Sequence, residues 1–470
     1  MTDTLVSFRD IREMVVGINQ KVPLLDGSLR TYINFDNAAS TPALGAVSDK
    51  VNAFLEWYSS VHRGTGFKSQ ISTRSFDQAR EIVSDFVGAN SDEHVVIFGK
   101  NTTEAINKLA FRLPLKPDDV VLVSMMEHHS NDLPWRARAQ VEHIKVDRLG
   151  QLDVADFEEK LARLAGRVKL VAISGASNVT GFLADIHDLA VKAHQAGAQI
   201  LVDCAQLAPH RQVDMLPLSD PAHFDYISIS AHKMYAPYGT GALIGRRDTF
   251  EQGEPEYRGG GTIEVVTPET VDWAAPPDRD EAGSPNVVGA VALAVAIKQM
   301  QAVGMEAIAA HEAELTSYAL EKMLQIPNLE IYGNTDPEHA RAGKRLGVIP
   351  FNVIGMSHFK VAAILSAEYA IGVRNGCFCA HPYLLHLMGM TAGKAEQVRQ
   401  DILANNRSEM PGLVRVSFGI YNTTEEIDVL IEALKNIVAG HYKGEYIQDT
   451  VSGEYEVVGW NFDPDQYFSL

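Results

Sequence analysis

The chain has 470 residues, enough to bury a sizeable core and to form two or more domains. Its 60 acidic against 41 basic residues give a net charge of −19, which speaks against a nucleic-acid binder and for a soluble cytoplasmic protein. No apolar run approaches the ~20 residues of a membrane span, and "MTDTLVSFRDIREMV" lacks a signal-peptide pattern, so neither membrane nor export is expected.

In chain order, "HVVIF" (94–98), "VVLVSM" (120–125), "VKLVAISG" (168–175), "QILVD" (199–203), "DYISIS" (225–230) and "GALIG" (241–245) read as buried strands. Amphipathic helices are expected between several of them, at 153–164 and 185–196. Such alternation predicts an α/β fold with a mostly parallel, doubly wound sheet, whose ligands bind beyond the carboxyl ends of the strands. Several of these strands end in residues of catalytic type: Glu127-His128, Ser177-Asn178, Asp203 and His232-Lys233.

A Gly/Pro-rich stretch over 258–286 reads as an irregular crossing segment, followed by helices at 287–303 and 305–325. Strands at 329–333, 346–355 and 413–419, with helices near 359–370 and 424–439, predict a smaller α+β unit. The last thirty residues, rich in glycine and aromatics, carry no assignable role, and no internal repeat is evident. The three cysteines are Cys204, Cys377 and Cys379. The Cys-Phe-Cys spacing is too close for a structural disulfide framework, so a reduced thiol with a chemical role is expected.

Lys233 raises the sharpest question, because a lysine at the end of a buried strand is costly unless it is covalently occupied or reaches solvent. Pyridoxal phosphate would need a Schiff-base lysine, an acid for its pyridinium nitrogen, a phosphate site at a helix N-terminus and a flat group for its ring. Lys233, Asp203, "GKNTTEAIN" (99–107) and "MEHHSND" (126–132) supply one candidate each, at successive strand ends. Taken singly, each is also an ordinary solvated lysine, cap residue, capping signature or surface histidine.

The matching stretches include "NFDNAASTP" (34–42), "VHRGTG" (61–66), "NTTEAIN" (101–107), "MEHHSNDLPW" (126–135), "VDCAQLAPH" (202–210), "SAHKMYAPYGTGAL" (230–243), "EAGSPN" (281–286), "VRNGCFCAHP" (373–382) and "VRVSFGIYNTTEEID" (414–428). With these, the chain resembles the fold-type I pyridoxal-phosphate enzymes of the class V aminotransferase superfamily. Within it, the chain is similar to the SUF-type (group II) cysteine desulfurases and selenocysteine lyases. The resemblance implies a large domain with a seven-stranded, mostly parallel sheet over 32–295. A small α+β domain over 296–440 would carry a catalytic cysteine loop. Residues 1–31 would pack on the small domain, and 441–470 would form an extension of unknown role.

The resemblance also implies roles for residues. Lys233 would hold pyridoxal phosphate as a Schiff base, Asp203 would pair with its pyridinium nitrogen, Gln206 would bond its phenolic oxygen, and His128 would stack on its ring. Thr103, Ser230 and His232 would hold the phosphate, with Thr102 flanking. Ser284 would reach the phosphate of a partner subunit, which implies a homodimer. Arg415 would clamp the substrate α-carboxylate, assisted by Asn178 and the Ala38 backbone, while His62 and Arg374 would line the pocket. No metal is expected.

Cys379 aligns with the catalytic cysteine, which would take sulfur from L-cysteine (or selenium from selenocysteine) and pass it to an acceptor protein or small thiol. Group II members commonly place paired histidines before that cysteine, where this chain has Cys377-Phe378; "GCFC" also resembles the desulfurase-like domain of molybdenum-cofactor sulfurases. Cys377 is open to two readings, a persulfide relay or simple packing. A C–S lyase, an epimerase or a kynureninase-like hydrolase would share Lys233, Asp203 and Arg415 without needing Cys379. A non-catalytic partner protein would need none of the four pocket residues Lys233, Asp203, His128 and Arg415.

Overall fold

A computed structural model describes residues 8–62, 64–460 and 463–470. Seven strands form the main sheet: β1 (His94–Gly99), β2 (Val120–Ser124), β3 (Gln140–Ile144), β4 (Val168–Ser174), β5 (Gln199–Asp203), β6 (Tyr226–Ser230) and β7 (Gly241–Arg246). Their order is β1-β7-β6-β5-β4-β2-β3. Only β7 runs against its neighbours, pairing antiparallel with both β1 and β6. The other strands are parallel to one another, so both faces need cover, which explains why most of them are apolar throughout.

Cover comes from helices α1 (Phe67–Phe86), α2 (Thr102–Arg112), α3 (Val154–Arg163), α4 (Ile186–Gln195) and α5 (Val287–Val303). The last is apolar almost all round because it is sandwiched inside the core, against α1. Asn286 starts it by accepting from Gly289 N at 2.9 Å. Gly241 opens β7 where a side chain would not fit: a Cβ there would lie 2.6 Å from the Ile229 carbonyl oxygen and 2.7 Å from the Asn101 Cα.

The smaller unit is built on an antiparallel sheet of β8 (Leu329–Ile331), β9 (Val348–Val353), β10 (Arg374–Gly376) and β11 (Leu413–Ser417), ordered β8-β9-β11-β10. Helices α6 (Met305–Met323), α7 (His358–Tyr369) and α8 (Thr424–Val438) pack on it around Phe351, Val416, Leu430 and Leu434, all fully buried. Buried Glu312 of α6 ties the units together. It accepts from Arg211 at 2.7 Å and Gly347 N at 2.8 Å, and it pairs with His210 at 3.0 Å.

Three expectations are refined. The segment over 258–286, read as irregular, contains an antiparallel hairpin (Ile263–Val266 with Val271–Trp273) closed by a Thr267–Thr270 turn. The C-terminal stretch likewise carries a small hairpin, Tyr446–Gln448 with Tyr455–Val457. Residues 1–7 lie outside the described residues. The rest of the N-terminal segment touches both units: Ile11 and Val15 join the core of the large sheet, while Arg12 pairs with Glu426 of α8 at 2.8 Å. No single helix among the described residues is long and apolar enough to cross a membrane.

Candidate active site

The carboxyl ends of β4, β5 and β6 and the start of α2 open onto one cavity of about 250 Å³, closed from the other side by β10, β11 and the loop after β10. Thirteen of the residues singled out above line it: Ala38, Thr102, Thr103, His128, Asn178, Asp203, Gln206, Ser230, His232, Lys233, Arg374, Cys379 and Arg415. Asn101, Ser130, Ser174 and Ala205 also line it without having been singled out from sequence, and Phe378, noted there only as the residue before Cys379, lines it too.

Lys233 ends the short turn after β6, and its Nζ donates to Gln206 Oε1 at 3.2 Å. Burial lowers its amine to a pKa of about 8, although the nearby Asp203 carboxylate pulls the other way. Asp203, 5% exposed at the end of β5, accepts one hydrogen bond, from Ala205 N at 2.9 Å. Burial raises its carboxyl above the ordinary range. An acid this poorly solvated fits a cationic partner entering the cavity.

At the opposite rim, Asn101 caps α2 by accepting from Glu104 N at 3.0 Å, and the positive end of the helix faces the cavity, a favourable place for an anion. The hydroxyls cluster beside them. Thr102 N donates to Ser230 Oγ at 2.9 Å, and Thr103 Oγ1 lies 2.7 Å from Ser130 Oγ. His128 accepts from Ser130 N at its Nδ1 (3.1 Å), which leaves the ring's proton on Nε2. Burial, with Lys233 nearby, depresses its pKa to about 4, so the ring is neutral and suited to stacking. Burial lowers His232 as well.

Beneath His128 lies Glu127, 3% exposed, which accepts from Ser174 N (3.0 Å), Ser174 Oγ (2.6 Å), Asn131 Nδ2 (2.7 Å) and the Ser124 hydroxyl. Burial pushes it up to about 7. It was visible in sequence only as a strand-end acid; its partners lie across two strands.

Arg415, 2% exposed in β11, donates to the Asn178 carbonyl at 2.9 Å and to Asp36 Oδ1 at 3.0 Å, while its Nε has no partner. A buried guanidinium that lines the cavity and has hydrogen-bonding capacity to spare is a ready carboxylate clamp. Asp36, absent from the sequence reading, fills part of that role in the free chain; Arg374 also approaches it, at 3.8 Å. The Arg415→Lys enzyme, without the planar fork, is expected to show a KM for the amino-acid substrate raised more than ~10-fold, readable in steady-state kinetics.

The loop after β10 bends sharply: Phe378 and Cys379 take φ of +51° and +54°. Two consecutive non-glycine residues in this region cost about 1–3 kcal/mol each, held in place by surrounding bonds. Asn178 Nδ2 donates to the Phe378 carbonyl (2.9 Å), and His129 N to the Cys379 carbonyl (2.8 Å). The Phe378 ring lies 4.8 Å beneath the Arg415 guanidinium, so the departure from the usual histidine supports the clamp. The bend leaves Cys379 exposed at the cavity rim.

Cys377 points the other way. It is 6% exposed among Met126, Val146 and Leu413, donates to the Pro411 carbonyl at 3.1 Å, and is pushed by burial up to about 12. These surroundings favour packing over a relay. The Cys377→Ser enzyme is expected to keep its turnover within about twofold; a large loss with the fold intact would restore the relay.

Three expected contacts are not formed within this chain. His62, at φ +72°, stands outside the cavity with its ring edge-on to Phe76. Ser284 is exposed in a separate depression with Lys100, Lys108 and Tyr257. Ala38 lines the cavity, but its amide donates to Ser417 Oγ at 2.9 Å and is not free for a carboxylate.

The cysteine desulfurase of Dickeya dadantii is 36% identical, over 86% of this chain and 91% of that protein. The chain spans 61% of the length of the probable cysteine desulfurase of Mycolicibacterium paratuberculosis, at 33% identity over 93% of its own. Among solved structures, the apo cysteine desulfurase of Thermococcus onnurineus superposes with a TM-score of 0.78, at 31% identity over 92% of this chain and 98% of that one. The family profile described as Aminotransferase class-V matches residues 33–430, and the chain belongs to that family of pyridoxal-phosphate enzymes.

Proposed function

We propose that this enzyme is a cysteine desulfurase that converts L-cysteine to L-alanine and holds the sulfur as a persulfide on Cys379. The observation that carries the reading is the exposed thiol on a strained loop at the rim of a cavity containing a buried lysine, a buried acid and a buried arginine clamp.

The residues fit pyridoxal phosphate by the chemistry of their donors. Lys233 would carry it, Asp203 would meet its ring nitrogen, and Gln206 its phenolic oxygen. His128 would lie on its face; the first turn of α2 with Thr102, Thr103, Ser230 and His232 would hold the phosphate. When bound, the cofactor supplies an electron sink for charge developing at the substrate α-carbon.

The chain's own residues do the rest. Arg415 grips the substrate carboxylate, exchanging Asp36 for it, with Asn178 alongside. Lys233, a weak enough base at about 8 to be substantially neutral near pH 8, takes the α-proton and returns it to the product. The Cys379 thiolate attacks the substrate sulfur; an S–S bond forms and the substrate C–S bond breaks. Alanine leaves with the protons, and the enzyme keeps one sulfur atom. Phe378, Asn178 and the His129 amide fix the loop that presents the thiol.

The acceptor is a thiol-bearing protein or a small thiol able to reach the exposed Cys379. Ser284, facing outward, supports a homodimer in which it reaches the partner's phosphate site. Three free thiols and a chemistry that needs Cys379 reduced fit the cytoplasm. Incubation with L-cysteine under reducing conditions tests the reading: alanine should accumulate in step with released sulfide. Pyruvate in place of alanine would assign a C–S lyase instead.

A further inference from the structure

Two histidine side chains that do not line the cavity meet beside the catalytic thiol. His129 follows His128 on the segment after β2, and His381 stands two residues past Cys379, at the start of the helix His381–Leu387. The rings are parallel to within 3°, with centroids 5.0 Å apart and His381 Nδ1 3.1 Å from His129 Nε2.

The backbone decides which nitrogens carry protons. His381 N donates to His129 Nε2 at 3.4 Å, so that nitrogen offers a lone pair and the His129 proton sits on Nδ1. His381 must then carry its proton on Nδ1, from which it donates to the same His129 nitrogen. Burial lowers both imidazoles, and the facing His381 ring depresses His129 further, so both are uncharged at neutral pH.

His129 therefore holds the thiol loop on both sides of Cys379. Its amide donates to the Cys379 carbonyl at 2.8 Å, and its ring takes two N–H groups from His381. The next ties lie further out: Asn178 Nδ2 on the Phe378 carbonyl (2.9 Å), and Tyr383 Oη donating to the Gly150 carbonyl (2.7 Å). Between them Phe378 and Cys379 keep a left-handed backbone, which relaxes unless both ends are held. His128, the residue before His129, lines the cavity, so one short segment serves both the cofactor face and the thiol loop.

We propose that His129 and His381 form a clasp that positions the Cys379 thiol at the cavity, each acting through the loop and not on the substrate. This role deepens the desulfurase reading and rests on it. A clasped loop keeps Sγ within reach of the substrate sulfur; a loose one leaves an intact pocket with a poorly aimed nucleophile. Position 381 need only donate from the place of Nδ1, which asparagine can do. Position 129 need only accept at the place of Nε2, which glutamine can do.

The test compares holoenzymes carrying His381→Leu, His381→Asn, His129→Leu or His129→Gln, with retained cofactor absorbance as the sign of a folded chain. In the leucine variants, hydrogen exchange of the amides between Gly376 and Tyr383 should quicken about tenfold. Alanine formation from L-cysteine should slow ~10-fold or more, while affinity for the product L-alanine, read from cofactor absorbance, stays within about twofold. Asparagine at 381 and glutamine at 129 should return exchange and turnover to within about threefold of the unaltered enzyme. Leucine at both positions should cost little more than leucine at one, because the two side chains make one contact. Unchanged exchange in both leucine variants would overturn the clasp. So would His381→Asn turning over as slowly as His381→Leu, which would assign His381 a proton of its own. Hydrogen exchange answers even if the unaltered enzyme forms no alanine, the result that would instead remove the desulfurase reading.

Discussion

Replacing Cys379 with serine is expected to lower cysteine-to-alanine turnover by ~10³-fold or more, a loss of about 4 kcal/mol of transition-state stabilisation. Cofactor binding should be unaffected, because Cys379 stands at the rim and makes none of the contacts assigned to the cofactor. Serine keeps the shape of the loop and its φ of +54°, so the substitution removes the sulfur nucleophile and little else. Absorbance of the bound cofactor and the rate of alanine formation, measured on one preparation, separate the two effects. Turnover that survives would mean that C–S cleavage proceeds without a protein thiol.

The second large effect is that of Lys233→Ala, expected to lower turnover by ~10⁴-fold or more, since one amine serves both as cofactor anchor and as base. Borohydride should no longer fix cofactor to the chain. The unaltered apoenzyme has a corollary with a definite sign. Burial depresses the amine to about 8, and only its neutral form can attack the cofactor's aldehyde. Uptake of pyridoxal phosphate should therefore quicken as pH rises through about 8 and level off above it. A lysine of ordinary basicity would keep climbing well past pH 9.

The parts of this molecule legible in sequence are those where one physical effect dominates. Strands buried on both faces must be apolar throughout, so β1, β2 and β4–β7 stand out. Edge strand β3, "QVEHI", is exposed on one side and polar, and it carries no such mark. Helix α1 is hidden for a related reason: its buried stripe includes Ser69 and Ser72 beside Phe76, Ala79 and Val83. The short hairpins at 263–273 and 446–457 have too few residues for an alternation to register.

The same division holds in the site. Lysine, aspartate, histidine and threonines at strand ends could be read together because the parallel sheet brings strand ends together. Asp36 could not, because its meaning comes from Arg415, 379 positions away. Nor could the opposite fates of Cys377 and Cys379. Both depend on a bend that turns one thiol to the Pro411 carbonyl and the other to the rim.

Intact-protein and peptide mass spectrometry after a brief exposure to L-cysteine, without added thiol, tests the central claim most directly. The peptide containing Cys379 should gain one sulfur atom, removable by reductant, in proportion to the alanine formed in the first turnover. Alanine or pyruvate formed with Cys379 unmodified, or sulfur found on Cys377 in its place, would contradict the account.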